Sequence, residues 1–381
     1  MFKVLAIFGT RPEAIKLAPV LLHLERCAGV RTIHVATAQH TDLLYPVLEQ
    51  FRIRVDHDLQ VMEPDQDLHE IFGRTFFALR PILENERPEL VLVQGDTTSA
   101  LAGALAAYYL QVPVGHVEAG LRSFDYSHPY PEEMNRRLIT RVAQWHFAPT
   151  ELNRANLLAE GVAPENIFVT GNPGVESLQT VLAHPATSVL VEKVLRDVSR
   201  KKLLVLTAHR RESFGGPMES AFRTLRTFVE THPDVALVFP MHPNPNVTAA
   251  AEHQLRDHAR IHIIPPLDYS GFIQLLQHAW LIVSDSGGVQ EETATLGKPL
   301  IVLRQVTERP EALECGVARL TGDFPGGLEE LLEEAAAPGS WAEAVRPVVN
   351  PFGAMDSGLR VANAIERILQ PRLATVSARP E

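Results

Sequence analysis

An α/β fold, built as two Rossmann-like, doubly wound domains facing a cleft, is what this sequence predicts. Short apolar runs alternate with longer amphipathic stretches along nearly the whole chain, the pattern of βαβ units and parallel sheets. The same alternation occurs in both halves, on either side of a charged stretch near the middle. The chain has 381 residues, enough for two full-sized cores, and 45% hydrophobic with 21% charged residues is the balance of a globular protein.

The first half supplies KVLAIFG, RTIHVATA, ELVLVQGD, VPVGHVEAG and NIFVTGN as strands, with helical segments between them such as DLHEIFGRTFFALRPILENE. The charged amphipathic stretch TSVLVEKVLRDVSRKK follows, and the domain boundary is expected near residues 171–175. The second half repeats the scheme with KLLVLTAH, VALVFPM, RIHIIPP, WLIVSDSGG and PLIVLR. A last helical segment, SGLRVANAIERILQ, follows the loop NPFGAMD. Periodicity alone leaves open which domain it closes.

Composition removes several classes of function. No segment approaches the ~20 uninterrupted apolar residues that span a bilayer. The first residues lack the basic, apolar and small-residue succession of an export signal, so a cytoplasmic protein is expected. Cys27 and Cys315 lie far apart without a CxxC, suggesting neither a disulfide framework nor a zinc site. A net charge of −11 argues against broad nucleic-acid binding. Sixteen histidines invite a metal, but His258 and His262 fall on different elements and no carboxylate completes a ligand set, so none is expected. Neither GxGxxG after a strand nor GxxxxGK[ST] appears, which leaves a dinucleotide enzyme or P-loop NTPase without its signature.

Ligands of doubly wound sheets bind beyond the carboxyl ends of the strands, so the polar residues there are the candidates. In FGTRPEAIK, Pro12 suits a first helical turn and Gly9 permits close backbone approach. Arg11 then stands at a helix N-terminus where an anion is favoured, with Lys16 about a turn and a half on. A surface salt bridge is the other reading of Arg11. Asp96 in QGDTTSALAG is a helix cap or a catalyst. Glu118 ends the next strand, and Glu132 and Glu133 follow Pro131 at a helix start, where charge beside the dipole is the simpler explanation. In VLTAHRRES, His209, Arg210 and Arg211 stand just past a strand. In IVSDSGGVQEE, a strand ends in Ser284-Asp285-Ser286 and two glycines open a helix, an arrangement that suits a diphosphate. Glu292, one turn on, suits the two hydroxyls of a ribose. Arg309 before Pro310 is another helix-start cation.

Taken in order, FGTRPEAIK, GDTTSALA, PVGHVEAGLRS, PEEMNRR, HRRES, HPNPNV, SDSGGVQEE, LGKP, TERPEAL and NPFG resemble the non-hydrolysing UDP-N-acetylglucosamine 2-epimerases from Phe8 to Gly353. The resemblance implies the two-domain glycosyltransferase-B fold, with a catalytic domain at 1–172 plus 353–369 and a UDP-binding domain at 173–352. It implies a cytoplasmic homodimer without cofactor that interconverts UDP-N-acetylglucosamine and UDP-N-acetylmannosamine, supplying N-acetylmannosamine units for surface polysaccharides. By motif, Asp96, Glu118, Glu132 and His209 match the catalytic groups. Arg11, Lys16, Ser286, Gly287, Gly288, Glu292 and Arg309 match substrate-binding positions, and Phe272 matches an aromatic beside the uracil. Gln39, His40 and Arg210 match a region bordering an allosteric site, although Thr41 replaces a basic residue there. Pro173 stands where threonine is usual and is expected to stiffen the hinge. A UDP-sugar glycosyltransferase, a hydrolysing epimerase and a catalytically dead nucleotide-sugar sensor are the rival readings.

Overall fold

A computed structural model describes residues 1–37, 41–63, 66–210, 213–322 and 326–376. The chain divides into two compact units, one of Met1–Ser177 together with the segment that begins at Phe352, the other Leu178–Pro351.

In the first unit, β1 (Phe2–Phe8), β2 (Val30–Ala36), β3 (His57–Asp58), β4 (Leu90–Gln94), β5 (Val114–Val117), β6 (Trp145–Ala148) and β7 (Ile167–Val169) form a parallel sheet. Its order is β3-β2-β1-β4-β5-β6-β7. Val4 pairs with Thr32 of β2 on one side and with Leu90 of β4 on the other. Residues 4–8 of β1 are wholly buried, as expected of a strand covered by helices on both faces. Leu5, Ile7, Val91 and Val93 share one core with Ala100 and Ala104 of the helix Thr98–Tyr109. The strand order reverses between β1 and β4, so the crevice beyond their carboxyl ends is the topological switch point.

The second unit repeats the topology. Its strands are β8 (Lys202–Thr207), β9 (Val235–Pro240), β10 (Ile261–Ile264), β11 (Leu281–Ser284), β12 (Leu300–Val302) and β13 (Ala318–Leu320), in the order β10-β9-β8-β11-β12-β13. Here the reversal lies between β8 and β11. Leu204, Leu206, Leu237, Phe239 and Val283 pack with Phe222 and Phe228 of the helix Gly216–Thr231.

Three strands, β3, β6 and β13, go beyond those read from the apolar runs. They are two to four residues long and carry His57, Asp58, His146 and Arg319, so no apolar run announces them. The charged stretch between the halves contributes the helix Val189–Asp197, capped by Ser188, and buries Val191 and Val194 in the second unit.

The final helix, Ser357–Val376, belongs to the first unit and packs on the helix Arg11–Leu24. Glu176 accepts the Gly358 N–H at 2.7 Å and contacts His23 Nε2 at the same distance. Gly171 takes a left-handed φ of 81°, and a side chain there would begin 2.4 Å from Ser357 Oγ. Pro173 opens the helix Pro173–Ala183, whose Ser177 hydroxyl donates to the Ile15 carbonyl at 2.6 Å. No helix among the described residues is long and apolar enough to cross a membrane.

Candidate active site

Beyond β1 the chain turns through Gly9 and Thr10 into the helix Arg11–Leu24, so Arg11 is its first residue. Glu13 is buried and holds this turn: its Oε2 accepts the N–H of Gly9 at 3.0 Å and of Thr10 at 2.8 Å. Its Oε1 accepts the Thr97 hydroxyl at 2.8 Å, joining the turn after β1 to the turn after β4. Burial pushes the Glu13 carboxyl up to about 7, against these donors, which pull it down.

Asp96 is not the cap of the helix that follows β4. Thr97 is, its side chain accepting from the Ala100 N–H at 3.0 Å. Asp96 instead faces Arg136, whose Nε lies 3.1 Å from Oδ2 and whose Nη2 also binds it, while Asn135 Nδ2 donates to the Asp96 carbonyl at 2.9 Å. Arg136 and Asn135 lie on the helix Glu132–Val142, which begins with Glu132. Glu133, its neighbour, is fully buried and accepts from Ser123 N–H at 3.0 Å, Arg136 at 3.1 Å and Arg137 at 2.8 Å. The two glutamates are thereby separated: Glu133 is locked into structure and Glu132 is half-buried.

Glu118, just past β5, is 4% exposed and sits at a φ of 67°, where a side chain strains the backbone. Gln94 Nε2 donates to its Oε2 at 2.6 Å and Lys16 Nζ lies 2.5 Å from the same oxygen. Lys16, expected to hold substrate, is therefore buried against a carboxylate from the third strand end. Among the sequence candidates of this unit, Arg11, Lys16, Asp96 and Glu118 gather at the carboxyl ends of β1, β4 and β5, and the Glu132 helix reaches Asp96 through its own side chains.

In the second unit, His209 follows β8 and its Nδ1 lies 3.1 Å from Asp285 Oδ1, just past β11. Its ring stacks on His242, with centroids 5.6 Å apart. Asp285 is buried. Burial opposes its ionisation, but the His209 imidazole and the N–H groups of His209 and Arg210 outweigh it and hold the carboxyl well below the usual range.

Ser286 is the N-cap residue of the helix Gly287–Leu296. The two glycines have different neighbours. A side chain on Gly287 would begin 2.5 Å from Arg309 Nη1, whereas Gly288 opens onto space with Ser286 Oγ 3.9 Å away. Arg309, read as a helix-start cation, does precede the helix Pro310–Glu314, but it is 4% exposed and bound to Glu291 at 2.6 Å and to Glu308. Glu292, beside Glu291, is half-buried. Phe272 is buried in the helix Tyr269–His278. Arg210 is half-buried, while Gln39 and His40 lie outside the described residues, as does Arg211. Among the described residues, no three His, Cys, Asp or Glu side chains converge as a metal site would require.

The sequence does not single out Glu13, Arg136 or Asp285, which the structure joins to the turn after β4, to Asp96 and to His209. Glu13 stands three positions after Thr10, the spacing of a capping box, and Asp285 lies within the very motif that drew attention to its neighbours.

Comparison with known proteins supplies the family. The sequence model described as UDP-N-acetylglucosamine 2-epimerase matches residues 22–366. The UDP-N-acetylglucosamine 2-epimerase of Escherichia coli K12 is 42% identical over 369 residues, 96% of this chain and 98% of that one. The Neisseria meningitidis UDP-GlcNAc 2-epimerase bound to UDP-GlcNAc superposes with a TM-score of 0.90 at 38% identity, covering 97% and 100% of the two chains. The S. aureus MnaA-UDP co-structure gives 0.92 at 40% identity, covering 97% of each. With matched residues running through both units, this chain belongs to the UDP-N-acetylglucosamine 2-epimerase family.

Proposed function

We propose that the protein interconverts UDP-N-acetylglucosamine and UDP-N-acetylmannosamine by inverting C2 without hydrolysing the nucleotide sugar. The hydrogen at C2 is only weakly acidic, so its removal is coupled to departure of UDP from C1. A carboxylate takes the C2 proton, the C1–O electron pair leaves with UDP, and 2-acetamidoglucal remains. UDP then adds back at C1 while an acid delivers a proton to the opposite face of C2. Elimination and re-addition leave the overall oxidation state unchanged.

The observation that carries this reading is the set of carboxylates in the first unit. Asp96 is braced by Arg136 and Glu118 by Lys16, and Glu132 starts the helix that supplies the Asp96 brace. Charged groups held in fixed positions suit a reaction in which a proton leaves one face and arrives on the other. Arg11 at its helix N-terminus suits the departing diphosphate. In the second unit, the open backbone at Gly288 and the acid at Glu292 suit a diphosphate and a ribose, and His209 serves the reacting end. A homodimer is part of the same proposal. Exposed Phe77, Tyr108 and Tyr109 offer apolar surface for it, and sedimentation at twice the chain mass is expected.

The test is NMR of the purified protein with UDP-N-acetylglucosamine in deuterated water. UDP-N-acetylmannosamine carrying deuterium at C2 is the expected product. Free UDP with N-acetylmannosamine would make it a hydrolysing epimerase, and no change without an acceptor would make it a transferase.

A further inference from the structure

We propose that Asp285 is a positioning residue for this reaction, fixing the His209 imidazole with its proton on Nδ1 and leaving Nε2 as the ring nitrogen offered to substrate. The inference rests on the reading above, in which His209 meets the substrate.

Asp285 is held from every side. Its Oδ2 accepts the backbone N–H of His209 at 2.7 Å and of Arg210 at 2.8 Å, which fastens the turn after β8 to the end of β11. Its own N–H donates to the Thr207 carbonyl at 3.3 Å, and its carbonyl accepts Arg304 Nε at 2.7 Å. Arg304 is itself buried and anchored by Glu308 at 2.8 Å, so the Asp285 backbone carbonyl is held by a fixed donor.

The remaining oxygen decides the tautomer. Oδ1 is buried without a hydrogen-bond partner among the described residues, and the His209 ring nitrogen Nδ1 stands 3.1 Å from it. A lone pair on Nδ1 would repel it and leave a buried anionic oxygen without a donor, whereas a proton on Nδ1 removes the repulsion and puts a donor within reach of it. The proton therefore resides on Nδ1 in both the neutral and the charged imidazole. The His242 ring stacks on the same imidazole, its plane tilted by 23°. A carboxylate selecting a histidine tautomer is a general device for presenting the other nitrogen.

Asp285→Asn tests this with little change of shape. The amide oxygen can replace Oδ2 at the two backbone N–H groups, and the NH2 then donates to Nδ1 and forces the proton onto Nε2. Two-bond proton–nitrogen spectra of the UDP complex, with His209→Gln to assign the ring, should show Nδ1–H in the wild type and Nε2–H in Asp285→Asn. Turnover should fall on the order of 10²–10⁴-fold, with the UDP Kd within about threefold. The double variant should be no slower than His209→Gln alone, because both changes act through one ring. Neutral His209 protonated on Nε2 in the wild type would overturn the proposal without any variant being needed. Unchanged turnover despite a tautomer switch, or additive losses in the double variant, would also overturn it. If the wild type proves not to epimerise, the functional reading fails, while the tautomer measurement still decides what Asp285 does to His209.

Discussion

Lys16 and Glu118 show how a residue's role depends on its partner. At 2.5 Å, the ammonium is a brace for a buried carboxylate, a role that its place in FGTRPEAIK did not convey. Asp96 shows the converse: a helix-start aspartate whose capping duty has passed to Thr97, leaving its carboxylate to Arg136. Each proposed carboxylate has an uncharged analogue of nearly the same shape. Asp96→Asn, Glu118→Gln and Glu132→Gln should each lower turnover by roughly 10²-fold or more while UDP binding is retained. Steady-state rates with calorimetric UDP titration check this, and near-normal turnover in any one variant removes that residue from the proposed set.

At the scale of elements, the informative unit is the strand end with the turn and helix that follow it. Pro12 is legible as helix-start chemistry because the first turn of a helix is a local feature, spanning three or four residues. SDSGG was visible for the same reason, yet its two glycines answer different needs. Gly287 leaves room for the Arg309 guanidinium, which Glu291 and Glu308 prevent from swinging away. Gly287→Ala should therefore cost about 1–3 kcal/mol of stability, the range for overpacking a filled site. Gly288→Ala meets nothing closer than 3.9 Å, so its stability should stay within about 0.5 kcal/mol of the wild type. UDP affinity should nonetheless fall in Gly288→Ala if the backbone approaches the diphosphate there. Denaturant unfolding and UDP titration of both variants separate the two roles.

Across the whole molecule, buried titratable groups impose opposing slopes on stability against pH. Glu13 titrates at about 7 in the folded chain and near 4.5 when unfolded, so between those values the folded state binds more protons. Its contribution to stability therefore declines as pH rises through that window, by on the order of 3 kcal/mol, and Glu13→Gln should abolish that part of the slope. The paired His116 and His146, on adjacent β5 and β6, behave in the opposite sense. Burial pushes them down to about 3 and about 4, so below about 6.5 the unfolded chain takes up protons that the folded chain refuses. Stability is lost as pH falls through that window, and His146→Leu should move acid unfolding to lower pH. Urea titrations at a series of pH values distinguish the two contributions. By itself, the sequence determined the class of fold, most of the parallel strands and the chemistry at their ends, because apolar runs, prolines and glycines act within a few residues of themselves. Only the tertiary structure decided that Lys16 braces Glu118, that Arg136 faces Asp96 and that Asp285 grips His209. The two members of each pair are brought together by sheet order, and a coulombic or hydrogen-bonded contact between residues distant in sequence leaves no periodic trace along the chain.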